Sequence, residues 1–443
     1  KIDAKVYNIT TFNYVVFVER EEKMADLKFL ELLSKDYPNI KAATAEIINL
    51  NAILALPKGT EYFLSDLHGE HEAFVHMLKS ASGTIKAKID EHYGAVLSES
   101  DREALAALIY NAEAEIARRK KIEKDFDDWC ATAIYRLITI CKSVSTKYTR
   151  YRVRQRLPKY MDYSMDELLH ADDDANRSNY YAQIINSIVT CGVAEDYIIE
   201  LTEAISRLAV DKLHIIGDIF DRGAHPDTIM DFLMDFHDVD FQWGNHDIVW
   251  MGAATGNLSC ITNVLRMNIS YNNFDMLEVG YGINLRPLAM LASTVYADDP
   301  CEFFKPKILE ENIYAPMDKE LAAKMNKAIA ICQFKIEGQT IMEHPEYKME
   351  NRMMLDKIDY EKGTITIKGE TYELRDKHFP TIDPADPYKL TPEEEETLDY
   401  AEVSERVYEA NKLDAIFANH GSVQYCLTFD KDQRPDMPCF IYE

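Results

Sequence analysis

Apolar residues recur every three or four positions at the start of the chain. Leu27, Phe29, Leu30 and Leu33 are followed by Ala43, Ile47, Leu50, Ile53 and Leu54, which predicts helix up to about Pro57. The period then changes. Three short apolar runs of strand length follow, Tyr62-Phe63-Leu64, Leu213-His214-Ile215-Ile216 and Val239-Asp240-Phe241-Gln242-Trp243, and each is succeeded at once by glycine and polar residues. Between the first two runs, from about Ala87 to Asp211, the pattern is helical throughout. Ser100-Asp101-Arg102-Glu103 has the form of a capping box, and Trp129, Ala133, Leu137 and Ile140 keep a three-to-four spacing. Residues 248–296 are again helical, with Leu258, Ile261, Leu265 and Ile269 on one stripe. Further on, 359–374 alternates around Lys362-Gly363 and Lys368-Gly369, the pattern of a small β-meander. Asp383-Pro384 to Asp386-Pro387 reads as a linker. Thr391-Pro392-Glu393-Glu394 then opens an acidic helix with Thr at the N-cap, Pro at N1 and Glu at N3.

Composition narrows the class. A chain of 443 residues with 47% apolar and 28% charged residues is long enough for two or three domains of ordinary globular type. No window approaches the ~18 consecutive apolar residues of a membrane span. The net charge of -27 argues against nucleic acid, which is bound through clustered Lys and Arg. Eight scattered cysteines without a C-x-x-C pair make neither a zinc ribbon nor a redox motif. Their apolar surroundings predict buried thiols in a reducing compartment, hence the cytoplasm. The segment 147–159 holds six Lys or Arg residues; it reads first as a solvated helix face and second as a contact for an anion or a neighbouring subunit.

Chemistry is concentrated in three blocks that follow the three strand-like runs: Ser65-Asp66-Leu67-His68-Gly69, Gly217-Asp218-Ile219-Phe220-Asp221-Arg222-Gly223 and Gly244-Asn245-His246-Asp247. Polar residues at the carboxyl ends of strands are where open α/β sheets place ligands. Carboxylates, an imidazole and an amide oxygen can together hold two divalent ions, one carboxylate bridging them, for in-line attack on a phosphoester by activated water. Arg222 is placed to clamp phosphate oxygens, and His246 to protonate the leaving oxygen. One D-x-H triplet would be a chance surface loop; three blocks in fixed order are not. There is no glycine-rich phosphate loop and no G-x-S-x-G nucleophile.

The blocks resemble those of the calcineurin-like metallophosphoesterases. That resemblance implies an α/β/β/α sandwich with a large helical insertion, in which Asp66 and His68 hold one metal, Asp218 bridges and Asn245 holds the second. His246 would be the general acid, Asp221 its orienting partner and Arg222 the phosphate ligand. The stretches KAATAEIINLNAIL at 41–54, GNLSCITNVLR at 256–266, GYGINLRPL at 280–288 and NRMMLDKIDY at 351–360 are similar to class III, Firmicutes-type fructose-1,6-bisphosphatases. The similarity runs from Met24 to at least Leu398. It implies hydrolysis of the 1-phosphate of fructose 1,6-bisphosphate to fructose 6-phosphate, a gluconeogenic step, with two divalent ions, Mn2+ foremost. Arg266 and Arg286, inside those stretches, are candidates for the second phosphate; the alternative for each is a surface ion pair.

One departure stands out. The parent fold closes its second metal with two further histidines, the later in a Gly-His-x-His block, and this chain has no Gly-His dipeptide. His344 and His420 are weak substitutes, each more naturally a loop or turn residue. His71, His76 and His225 lie nearer the blocks in sequence, with a helix-surface or loop histidine as the plainer reading. The expected plan is a leader over 1–23, core over 24–86 and 212–300, a helical insertion over 87–211, and an accessory region over 301–443 that stops short of the remaining core. The rivals are a metallophosphatase for another phosphoester, and a catalytically silent homologue kept for binding. The expected partner is a sugar bisphosphate, with neither nucleic acid nor membrane, and homo-oligomers allowed.

Overall fold

The parallel pairing of three short strands decides where the polar blocks end up. The structure, a computed structural model, describes residues 27–171, 177–307 and 319–403. Strands β1 (Glu61–Ser65), β2 (Lys212–Ile216) and β3 (Val239–Gln242) are hydrogen-bonded in that order. Ser65 stands opposite Ile216, and Ile216 opposite Gln242, so the three carboxyl ends are level and all three blocks leave from the same sheet edge. Leu64, Leu213, Ile215, Val239 and Phe241 bury one face. On the other, the rings of His214 and Phe63 stack at 4.4 Å, and His214 Nδ1 lies 2.7 Å from Asp240 Oδ1.

The long connection from β1 to β2 is helical. Its two longest helices, Phe126–Ser145 and Ala194–Ala209, pack against each other through fully buried residues such as Ile134, Leu137, Ile140, Ile198, Leu201 and Ile205. Each such side chain contributes about 1.5–3 kcal/mol. The cap expected at Ser100 is instead Ser98. Its hydroxyl accepts from the Asp101 backbone N–H at 3.2 Å and donates to the Asp101 carboxylate at 2.7 Å, which starts the helix Glu99–Tyr110 two residues earlier.

The basic run 147–159 also departs from its first reading, because Lys147 and Arg156 turn inward and the exposed Arg152 pairs with the same acidic group as Arg156. Lys147 donates to Thr60 Oγ1 and Ala209 O at 2.8 Å each, Arg156 is buried with Nη2 3.0 Å from Asp211 Oδ1, and Arg152 reaches the same carboxylate at 3.5 Å. These cations gather the starts of β1 and β2, so a solvated face describes only the remaining residues.

After β3 the helix Asn245–Ala254 packs on the helix Leu258–Ser270, and the helix Lys319–Glu343 lies against both Leu258–Ser270 and Arg286–Val295. Lys327 and Lys335 on that helix are fully buried. Lys327 pairs with Asp299 and Asp376, and Lys335 donates to Glu394 and to Thr381 O. The meander forms as the alternation predicts, from β4 (Ile358–Asp359), β5 (Thr364–Ile367) and β6 (Glu370–Glu373), all antiparallel. The stretch 383–387 is a turn rather than a loose linker. An isolated bridge joins Asp383 to Asp386, and the buried Tyr388 ring packs so closely on Gly338 that a Cβ there would come within 2.1 Å. The predicted Thr391 capping box is present, with Thr391 N to Glu394 Oε2 at 2.9 Å and Glu394 N to Thr391 Oγ1 at 3.3 Å.

The class is mixed α/β, mostly helical, with one small parallel and one small antiparallel sheet. Of the expected four-layer sandwich, the described residues hold a single three-stranded parallel sheet, and the meander is a separate sheet. Among the described residues no helix is long and apolar enough to cross a membrane.

Candidate active site

Block one is locked to block two by backbone. Asp66 N donates to Gly217 O at 3.2 Å, His68 N to Asp218 O at 2.8 Å, and Gly69 N to Ile219 O at 2.9 Å. Three non-glycine residues here, Asp66, His68 and Asp218, have φ of 54°, 49° and 50°. Left-handed backbone is uncommon outside glycine and concentrates at functional sites; Asp and His are among the residues that tolerate it. The loops approach so closely that side chains are excluded. A Cβ on Gly223 would sit 1.8 Å from His68 O, and one on Gly244 would sit 2.0 Å from Asp218 Oδ1.

This strained backbone brings chemistry together. Asp66, His68 and Asp218 each offer a ligand atom, and the three atoms lie within 4.8 Å of one another. Two carboxylates and an imidazole fit a divalent transition metal. His246 N lies 3.4 Å from Asp218 Oδ1, and Asn245, exposed at the first turn of the helix Asn245–Ala254, adjoins it. Asp221 stands amid the other groups. Its carboxylate is 3.7 Å from His68 Nε2, 3.5 Å from His246 Nε2 and 3.9 Å from Arg222 Nε, and only 15% exposed.

Two residues without an assigned role in the sequence reading hold this arrangement. Asp247 is 1% exposed and accepts three backbone N–H bonds, from Ile219 at 2.8 Å, Phe220 at 3.0 Å and Gly244 at 2.8 Å. It thereby ties the third block to the second. Burial, with the nearby Asp218 charge, pushes its carboxyl above the ordinary range against the pull of those N–H groups. Asn273, also buried, donates through Nδ2 to the carbonyls of Arg222 at 3.2 Å and Gly223 at 3.1 Å. Its only sequence signal is the Asn272-Asn273 pair, where Asn272 takes φ of 63°.

The other candidates are dispersed. His344 follows the helix Lys319–Glu343, pairs with Glu346 at 3.0 Å and stacks on Tyr347, away from the blocks. His76 meets Tyr110 edge-on at 6.0 Å. His71 and His225 stay close to the site, their backbone N–H groups both donating to Gly69 O at 3.1 Å. Burial, followed by the charge of His225, lowers the His71 pKa. Arg266 is half-buried in the helix Leu258–Ser270, and Arg286 is exposed at the first turn of Arg286–Val295. Among the described residues neither pairs with a block residue. His420 lies outside the described residues.

Comparison with known proteins gives one consistent result. The sequence model of the Firmicute fructose-1,6-bisphosphatases matches residues 28–427. The chain is 54% identical over 375 residues to the fructose-1,6-bisphosphatase class 3 of Clostridium tetani, covering 84% of this chain and 56% of that protein. It is 52% identical over 382 residues to the class 3 enzyme of Clostridium acetobutylicum, 86% of this chain and 57% of that one. Against the class 3 enzyme of Alkaliphilus metalliredigens the identity is 50% over 376 residues, with 85% and 56% covered. The chain thus spans a little over half the length of the curated relatives it matches. No solved structure matches it significantly.

Proposed function

From the premise that the chain belongs to the Firmicute fructose-1,6-bisphosphatase family, we propose that it hydrolyses the 1-phosphate of fructose 1,6-bisphosphate to fructose 6-phosphate and phosphate. The observation that carries this reading is the convergence of Asp66, His68 and Asp218 within 4.8 Å at the sheet edge, the spacing a divalent metal requires. Two such ions, Mn2+ foremost, held by Asp66, His68, Asp218 and Asn245, would polarise the phosphoryl group and lower the pKa of the attacking water.

The chain's own groups do the rest. Arg222, half-exposed beside Asp221, is free to swing its guanidinium onto the equatorial phosphate oxygens, a bidentate contact that Lys could not reproduce. His246 holds the proton delivered to the departing sugar oxygen at C1, and Asp221 sets the orientation of its ring. Asp247 keeps the second and third blocks in register, and Asn273 holds the carbonyls of Arg222 and Gly223 within the second. Arg266 and Arg286 are the residues we would test first at the 6-phosphate, as R266A and R286A with KM as the readout.

The β1-β2-β3 sheet is taken as part of the metallophosphoesterase sandwich, with core over 24–86 and 212–300, the helical insertion over 87–211 and an accessory region from 301. Cytoplasmic placement is supported by the reduced cysteines: Cys130, Cys141, Cys301 and Cys332 are buried and unpaired by disulfides.

The deciding experiment is metal-dependent phosphate release from fructose 1,6-bisphosphate, with Asp218→Asn as control and a phosphopeptide and a dinucleotide as competing substrates. Mn2+-dependent turnover of the sugar alone, lost in the variant, is the expected result. Equal or faster turnover of either competitor would overturn the substrate, and metal-independent turnover would overturn the mechanism.

A further inference from the structure

Within the helical connection from β1 to β2, the helices Glu99–Tyr110, Ala112–Ile122 and Phe126–Ser145 enclose a cavity of about 260 Å³, and no residue of the three blocks lines it. Its floor is apolar, made by the buried Leu105, Leu108 and Ala133, and the half-buried Trp129 forms a wall. Charge lines the rest. Glu115 and Glu123 are already neutralised, since Arg119 donates to Glu115 Oε1 at 2.8 Å and to Glu123 Oε1 at 2.7 Å, with its guanidinium 6.0 Å from the centre of the Trp129 ring. Three further lining residues, Asp128, Thr132 and Arg136, follow one another at four-residue steps and so stand in line along one face of Phe126–Ser145. Among the described residues the Asp128 carboxylate, the Thr132 hydroxyl and the Arg136 guanidinium make no hydrogen bond or ion pair. Arg136 is half-buried, yet none of the cavity's five carboxylates lies within ion-pair distance of it. Opposite charges thus face a common space without meeting across it.

We propose that the cavity binds a free diamino acid of the lysine or arginine class. The carboxylate of the ligand takes the guanidinium of Arg136, its ammonium takes Asp128, and its aliphatic stem lies over Trp129 and the Leu105–Leu108 floor. Charge selects this class. Beyond the pairs that Arg119 makes, the lining holds the carboxylates of Asp101, Asp125 and Asp128 against the one guanidinium of Arg136. An anion such as free phosphate is repelled by that balance, and a simple zwitterion leaves acid unmatched. A diamine satisfies the acids and leaves Arg136 as it was. Two cationic groups and one carboxylate on a single molecule match both signs, and a cationic head beside Trp129 gains the attraction of the ring face. Length agrees with charge. Asp128 and Arg136 are eight residues apart, about 12 Å along the helix axis, so their two heads are bridged by an extended chain and not by a compact ion. The inference does not rest on the reading of the phosphatase site.

Titration of the full 443-residue chain with lysine and with arginine, read by tryptophan fluorescence and by calorimetry, tests it. Of the three tryptophans, Trp243 and Trp250 are buried, so a change in emission reports Trp129 and should vanish in Trp129→Phe. The expected result is saturable binding of at least one of the two amino acids with a Kd below about 1 mM. Arg136→Gln and Asp128→Asn alter groups without a hydrogen bond or ion pair in the fold, so the melting temperature should stay put while each weakens binding about tenfold or more. Cadaverine and agmatine, the same two molecules without the carboxylate, should bind wild type about tenfold more weakly or worse and be indifferent to Arg136→Gln. No saturable signal by either method overturns the proposal. So does an amine that binds as tightly as its amino acid, which would leave the cavity to cations alone, and so does binding that neither variant weakens, which would place it elsewhere on the chain.

Discussion

The carboxylate of Asp221 lies 3.5 Å from Nε2 of His246 and, through its other oxygen, 3.7 Å from Nε2 of His68. One acidic side chain is thus shared between the proposed proton donor and a proposed metal ligand. Asp221→Asn keeps the size and should lower kcat for fructose 1,6-bisphosphate by about 10–100-fold, as loss of an orienting partner does. His246→Ala should cost about 10²–10⁴-fold. The check is p-nitrophenyl phosphate, whose leaving group needs no proton. Both deficits should shrink sharply on that substrate, and equal deficits on the two substrates would exclude His246 as the acid.

Asp247 fixes the second block against the third, and its effect should be read in stability as well as activity. Asp247→Ala would leave the N–H groups of Ile219, Phe220 and Gly244 without their acceptor in a buried place. Each unsatisfied group costs about 1–3 kcal/mol. Urea denaturation should show a clear drop in midpoint with an unchanged slope. Asp247→Asn, which retains one acceptor oxygen for Ile219 and Phe220 but turns an NH2 toward Gly244, should lie between Ala and wild type.

The thiols give a pH-dependent expectation. Burial lifts Cys130 from its ordinary 9.0 to about 11, and Cys141 and Cys301 to about 12, and it raises Cys332 as well. At pH 8 these groups stay protonated and enclosed, whereas Cys191 is exposed. A thiol-specific disulfide reagent should therefore label Cys191 quickly and the four buried cysteines only after denaturation, as peptide mapping would show. The linkage has a definite sign. Folded pKa values above the unfolded ones mean that the unfolded chain ionises first, so these groups withdraw stability as pH climbs past 9 and leave it intact below.

Periodicity made the local elements legible, and the three blocks made the proposed site legible, because strand ends and glycine punctuation are written in adjacent residues. What adjacent residues do not encode is long-range. Ser98 outcompeted Ser100 as cap through an Asp101 contact that satisfies both partners. Arg156 reads as one more surface cation until Asp211, 55 positions away, is placed beside it. Asn273 carries no motif, and its task of holding the carbonyls of Arg222 and Gly223 exists only once the turn that follows the helix Leu258–Ser270 is brought over the second block. The parallel sheet was foreseen at its three strands, while the two-sheet sandwich rested on family resemblance and has no counterpart in local pattern.

Lys335 and Glu394 supply the most quantitative test of how the C-terminal meander region is held. Both are essentially unexposed, 2.7 Å apart, with Lys335 also donating to Thr381 O at 2.6 Å. Two charges removed from water recover their desolvation cost only through each other, so deleting one should be far worse than deleting both. Lys335→Met leaves the Glu394 carboxylate buried and uncompensated, and should destabilise the fold by about 3–5 kcal/mol. Glu394→Gln alone strands the ammonium and should cost a comparable amount. In the double variant neither charge of this pair remains, and the side-chain amide introduced at position 394 can still accept from the Thr391 N–H that caps the helix Pro392–Val403. Much of the loss should then be recovered, with a coupling energy in the ~0.5–3 kcal/mol range typical of contacting residues or above it. Additive single-variant losses in a denaturation cycle would show that the pair is a coincidence of packing, and the anchoring of this region to the helix Lys319–Glu343 would rest on Tyr388 against Gly338 instead.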